Sequence, residues 1–393
     1  MAVFFGWRVV AAAFVVALFG WGFGFYGPPV FLHALEGRMP RWLVSLAVTC
    51  HFLAGAIVVA RMPALQARFG IARVVTAGAV ATALGVLGWA LAAAPWQLFA
   101  ATLLSGAGWA CTGGAAINAI VAPWFARKRP MALGMAFNGA SMGGVVLGPL
   151  WVALIAWLGF PAAAALLGSA MVLALAAIGA RYLGRTPAQM GLAPDGEAPR
   201  AAPPRPPAAL GPPWRDRRFA TLAGANALCL FAQLGLVAHL VSVLAPALGG
   251  QGAGLAMGLA TGCAVAGRVL AGWLLRPGLS RRRVFAGNAA MQAAGVALLA
   301  VSSDPALLLA AVAVFGFGIG NATTLPPLIA QQDFPEADVG RVVALLVATG
   351  QATYAFAPAA FGLLREVGEA PFFAGLVACQ LAAAAVALAR VRT

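Results

Sequence analysis

Charge is what this sequence has least of. Only 9% of its 393 residues are Asp, Glu, Lys or Arg, and its mean hydropathy is +0.92, whereas a soluble domain carries charge on about a quarter of its residues. A water-soluble globular chain is excluded, and lipid is the solvent that fits. The five cysteines, Cys50, Cys111, Cys229, Cys263 and Cys379, are scattered through apolar runs without metal-type spacing and read as small packing residues. No phosphate loop, nucleophile elbow or zinc signature occurs. That argues against an ATP-driven pump or a membrane enzyme, and no cofactor or metal is expected.

Carboxylates are scarcer still. The ten acids are Glu36, Asp195, Glu197, Asp216, Asp304, Asp333, Glu336, Asp338, Glu366 and Glu369, all in loops or at the ends of apolar runs. Proton-coupled export of cations generally uses a carboxylate buried in the membrane, so that chemistry lacks its usual carrier here.

What the chain does have is length of apolar sequence. Twelve segments reach the about 20 residues that cross a bilayer as a helix: 7–28, 42–61, 73–94, 97–121, 131–156, 161–183, 219–246, 251–275, 284–302, 305–328, 340–364 and 371–390. Helix is required because lipid offers no partner to unpaired backbone groups, and the segments are too long and too uniformly apolar for barrel strands. The first has no small-residue cleavage site and reads as a retained span. Residues 184–217, with Pro203, Pro204, Pro206 and Pro207, are too rich in Pro and Gly for a span or a packed core and read as a linker. The expectation is an all-α polytopic membrane protein of 12 transmembrane helices: a six-helix bundle over 1–183, a cytoplasmic linker over 184–217 and a second six-helix bundle over 218–393.

The basic residues set an orientation. Of 25 Lys and Arg, 21 fall on the linker's side of this zigzag, Arg38, Arg41 and Arg365 fall on the other, and Arg268 lies inside span 8. Short basic loops stay in the cytoplasm, so both termini are expected there, in a multi-pass protein of the bacterial inner membrane. The net charge of +15 then reflects topology and the anionic inner leaflet, and no nucleic-acid partner follows from it. The halves also repeat: at a separation of 210 positions Arg73 matches Arg283, Gly85 matches Gly295, Pro95 matches Pro305, Gly106 matches Gly316 and Gly108 matches Gly318.

Twelve spans, cytoplasmic termini and a central linker make the chain similar to the major facilitator superfamily over essentially its whole length. The stretch Pro63–Arg73 resembles that family's loop between spans 2 and 3 at Leu65, Arg68, Gly70 and Arg73, with Ala67 where the family has an acid. Arg68, Gly70 and Arg73, with Gly272 in the corresponding stretch after span 8, are implied to act in gating, without the charge lock that the acid supplies. Gly6-Trp-Arg-Val-Val, Trp124–Gly134, Pro187–Gly196 and Gly267–Gly272 look like segments of the bacterial monocarboxylate and oxalate/formate group. Within it the span 8 arginine binds the substrate carboxylate, a role the resemblance places on Arg268. The group's acid four residues earlier is Ala264 here, and its lysine in span 1 or 11 is missing. Gly144–Pro149 matches only half of an exporter-type signature in span 5, and small residues so spaced are commonly helix contacts.

Arg268 is singled out independently. A charge at mid-bilayer costs about 2.5–3.5 kcal/mol even on insertion scales, so it should face water, a partner or a ligand. An anion site and a snorkelling structural arginine are the two readings. Gln233, Asn321, Gln351 and Tyr354, with Tyr26 and Asn118, are the polar groups of a candidate binding shell, each also able to serve as helix–helix glue. His239 and His51 are candidates for proton coupling, since imidazole titrates near neutrality. The leading expectation is a monomeric secondary transporter of a small organic anion, its partners being that substrate, membrane lipids and protons. The same fold moving a neutral or zwitterionic compound or a drug, and a non-transporting membrane sensor, are the alternatives.

Overall fold

The computed structural model describes residues 4–196, 213–274 and 279–389. Its described residues form helices and turns and contain no strand. Ten stretches are long and apolar enough to cross a membrane. One of them, Arg217–Ala271, holds two spans joined at Gly249, where φ is +69°. A further span, Pro95–Ala110 followed by Gly114–Val121, falls short only because it is interrupted. Twelve spans result, as the hydropathy pattern predicts.

Spans 1 to 6 are Phe5–Leu35, Arg41–Phe69, Ile71–Leu91, Pro95–Val121, Arg129–Leu158 and Phe160–Leu183. Spans 7 and 8 are 217–248 and 250–274, and spans 9 to 12 are Arg281–Val301, Pro305–Asp333, Glu336–Val367 and Glu369–Leu388. The chain divides into two compact units, Met1–Ala202 and Pro203–Thr393. In the first, span 1 packs on 5, span 4 on 2 and 3, and span 3 on 6; in the second, span 7 packs on 11, span 10 on 8 and 9, and span 9 on 12.

The matched glycines explain this likeness. A methyl group on Gly85 would overlap Ser105 and one on Gly295 would overlap Phe315; Gly108 abuts Thr82, and Gly318 abuts Gln292. Each pair recurs 210 positions on. In lipid, small residues let helix backbones approach where no hydrophobic drive pulls them together.

Several expectations need correction. Span 2 continues through Pro63 to Phe69, so Arg68 lies on its last turn, and the loop reduces to Gly70, whose φ of +78° needs glycine. Spans 1, 4 and 11 are broken, at Phe25–Tyr26, at Cys111–Gly113 and at Ala355–Phe356. Tyr26 therefore sits at a break inside span 1 and not near its end. Residues 184–196 form no span; they make short turns at Ala188–Met190 and Pro194–Gly196, and Asp195 accepts from the backbone ahead of span 5. Arg276 and residues 197–212 lie outside the described residues.

Candidate functional site

Spans 8 and 10 cross on glycine. A methyl on Gly316 would press into the Ala260 backbone, one on Gly267 into the Phe317 carbonyl, and one on Gly320 into the Ala264 carbonyl. Arg268 follows Gly267, is half-buried, and runs its side chain past Gly320, where an added methyl would stand 2.6 Å from its Cγ and 2.9 Å from its Nε. Gly320 is the slot that lets an arginine pass between two packed helices. Next to it, buried Asn321 donates through Nδ2 to Asn288 Oδ1 (3.1 Å) and to the Phe317 carbonyl (3.2 Å). Its Oδ1 has no hydrogen-bond partner among the described residues, and neither has Oε1 of Gln233, buried on span 7. A buried acceptor left open in this way is a place for a water or a ligand donor.

Gln351 and Tyr354 occupy the last turn of span 11 before its break, within hydrogen-bonding reach of each other. His239, fully buried on span 7, faces the second arm of span 11: Nε2 donates to the Pro358 carbonyl (3.2 Å), and Phe372 stands edge-on at 5.6 Å. A few residues on lies Arg365, a buried arginine inside a span, where Arg268 alone was expected. Arg365, 6% exposed, donates through Nε to Glu369 (2.9 Å) and through Nη1 to Ser242 Oγ (2.6 Å), with its guanidinium 5.6 Å from the Phe372 centroid. Sequence reading had set Arg365 in a loop because it lies just past the apolar run.

In the first unit His51 is bound on both sides. Its Nε2 faces the Gly24 carbonyl (3.0 Å), so that nitrogen carries the proton and Nδ1 accepts from the Ser105 hydroxyl (2.9 Å) in the neutral ring. Trp89 Nε1 donates to the same Ser105 oxygen (3.1 Å), and the His51 ring stacks on Trp109 at 5.6 Å. The break in span 1 creates the need for these donors: carbonyls at the end of its first arm lose their helical partners, and His51 at Gly24 with Trp151 at Gly22 (3.2 Å) replaces them. Tyr26 is buried at this break, while Asn118 is exposed on the second arm of span 4 and donates to the Gly114 carbonyl (2.9 Å).

Arg68 and Arg73 are exposed on either side of Gly70, and neither forms an ion pair with a described carboxylate; Arg68 lies 5.1 Å from the Phe69 centroid. Gly272 is on the last turn of span 8. Sequence reading missed Gly320, a glycine beside the matched Gly316 and Gly318 whose only signal was its place in that small-residue row.

The family description "Major Facilitator Superfamily" matches residues 9–358. Monocarboxylate transporter 11 of Mus musculus is 30% identical over 81% of this chain and 72% of its own length, and that of Homo sapiens 29% identical over 91% and 69%. Among solved structures, a bacterial homologue of the human lysosomal transporter Spinster, in an inward-facing and occupied conformation, matches with a TM-score of 0.72 and 13% identity, covering 99% of this chain and 96% of that one. That likeness concerns the fold.

Proposed function

Because the chain belongs to the major facilitator superfamily of membrane transporters, we propose that it moves a small organic anion of the monocarboxylate class by alternating access, with Arg268 as the group that binds the carboxylate. The observation that carries this reading is the Gly320 slot, which holds a half-buried guanidinium between spans 8 and 10. A guanidinium fork matches a carboxylate through two parallel hydrogen bonds. Gln233, Asn321, Gln351 and Tyr354 complete the polar shell in the second unit. His239 carries the coupled proton, and Arg68, Gly70, Arg73 and Gly272 act in gating. The basic asymmetry supports cytoplasmic termini in a bacterial inner membrane, and the monocarboxylate transporters among its relatives support the substrate class.

The test is Arg268→Lys and Arg268→Gln in reconstituted vesicles, after both variants are shown to be monodisperse. Losing one partner of a buried charge pair costs about 2–5 kcal/mol, so Arg268→Gln should lose about thirtyfold or more in affinity for a monocarboxylate, with Arg268→Lys between it and wild type. If Arg268→Gln transports the anion as wild type does, the arginine is structural and the carboxylate is not bound by it.

A further inference from the structure

At the end of the first unit away from the linker, spans 3 and 4 leave an open groove of about 380 Å³. Its walls are the exposed side chains of Leu84, Leu91, Trp96 and Leu104, and its floor is made by small residues, Gly88 and Ala92 among them. Gly88 has no room for a side chain, since a methyl there would stand 2.8 Å from the Ala101 methyl. The groove is thus open and lined mainly by apolar side chains.

The mouth is different in kind. Arg38, in the exposed loop between spans 1 and 2, reaches over to the end of span 3 and donates to the carbonyls of Ala90 (2.9 Å) and Ala92 (3.0 Å), the latter residue also lining the groove. Two of its five N–H groups are used in this way. Its positive charge is not taken up by the nearest acid in sequence, because Glu36 is engaged by Arg41 (2.8 Å) and His33 (3.3 Å). Gln97, also in the groove, spends its Oε1 on the backbone N–H groups of Ala93 (2.7 Å) and Ala94 (3.1 Å), which leaves its NH2 as a donor. An apolar groove lined by an amide donor, with a guanidinium on the carbonyl of its Ala92, is complementary to an acyl chain below a phosphate.

We propose that this groove holds one phospholipid of net negative charge, with an acyl chain between spans 3 and 4 and its phosphate on Arg38. A membrane protein always touches lipid; the site differs in combining a fixed cation with a shaped groove, so it selects among headgroups.

Native mass spectrometry of the delipidated full chain, titrated with phosphatidylglycerol or phosphatidylcholine of the same acyl chains, tests this. Wild type should retain one phosphatidylglycerol about fivefold more strongly, the worth of one basic side chain at a membrane surface, and the preference should shrink at high salt. Arg38→Gln should erase the preference, Arg38→Lys should keep most of it, and Ala100→Trp, which fills the groove, should remove the tightly held lipid of either kind. The salt arm needs no variant and stands if Arg38→Gln proves unstable. Equal retention of the two lipids by wild type, or a preference that survives Arg38→Gln, overturns the proposal. A dimer that Ala100→Trp abolishes while the lipid count stays unchanged overturns it too, and assigns the groove to a second copy of the chain.

Discussion

Gly106 lies against His51 in the first unit, and Gly316 lies against Ala260 in the second. The crossing is the same, with its partners nearly the same 210 positions apart, yet one buries an imidazole in a closed set of hydrogen bonds and the other an alanine. The difference extends through both units. In the first, buried His51 is tied to Gly24, Ser105 and Trp109, and serves a broken helix. The second buries Arg365 and half-buries Arg268, and it leaves amide oxygens of Asn226, Gln233, Asn321 and Gln380 without partners among the described residues. A duplicated scaffold has kept its packing glycines in both copies but differs in what it leaves open among the described residues: Gln66 Nε2, Thr82 Oγ1 and Trp109 Nε1 in the first unit, mainly amide oxygens in the second. Under the proposed function the second unit binds the ligand and the first serves as its frame.

The largest effect that would sharpen this contrast is expected at Gly320. Gly320→Ala and Gly316→Ala both insert a methyl between spans 8 and 10, and overpacking of this kind costs about 1–3 kcal/mol. Both should lower the melting temperature. Only Gly320→Ala also displaces Arg268, so only it should raise the half-saturating substrate concentration, by about tenfold for each 1.4 kcal/mol of lost binding. In an Arg268→Gln background the added effect on transport should vanish. Equal transport phenotypes for the two glycine variants would mean that the slot does no more than pack helices.

The twelve spans were legible because lipid enforces a single rule, length of apolar helix, and the repeat was legible because glycine is needed wherever two backbones touch. The breaks were not. Span 1 breaks at Phe25–Tyr26 in a glycine-rich stretch that resembles many unbroken ones, and the donors that stabilise it, His51 and Trp151, come from distant segments. Arg268 stood out as a charge in an apolar run, whereas Arg365 did not, because its burial depends on Ser242 and Phe372 from two other spans. A sequence marks the cost of a buried group but not the neighbours that offset it.

The same substitution in each unit gives the next test. His51→Gln keeps one donor but cannot span Gly24 and Ser105 together, so it should destabilise by about 1–2 kcal/mol, the worth of one or two hydrogen bonds. Transport should then fall only with the amount of folded protein. His239→Gln should leave substrate exchange intact and abolish uphill uptake driven by a pH gradient, because exchange moves no net proton. Measuring exchange and gradient-driven uptake side by side in vesicles decides it. Loss of gradient-driven uptake in His51→Gln, with His239→Gln unaffected, would reverse the roles of the two units.

The smallest effect concerns how each unit anchors its charged rim. In the second, Arg282 at the start of span 9 pairs with Asp333 (2.7 Å) and donates to Thr221 (3.0 Å) and to the Arg218 carbonyl (2.8 Å), joining spans 7, 9 and 10. The first has no acid in its corresponding loop, and its carboxylate comes from beyond span 6. Asp195 accepts from three successive backbone N–H groups, Ala126 (3.1 Å), Arg127 (2.7 Å) and Lys128 (3.1 Å), just ahead of span 5, and its own N–H donates to the Trp124 carbonyl (2.9 Å). Burial disfavours the ionised carboxyl, but the three N–H groups outweigh it and hold the acid below its usual range. Since the folded form is the better acid, the latch is complete above the ordinary carboxylate range and is lost as pH falls below it, with no change around neutrality. Asp195 also sits at φ +61°, a left-handed conformation that asparagine tolerates and alanine resists. Asp195→Asn should therefore loosen the latch by less than about 1 kcal/mol, the gap between a charged and a neutral acceptor, and Asp195→Ala by more. A cysteine placed at Leu192 reports the result through its labelling rate at pH 7, which should rise in the order wild type, Asn, Ala. Identical rates in all three would mean that turns at 186–192 alone fasten this segment, and that only the second unit secures its rim with a carboxylate.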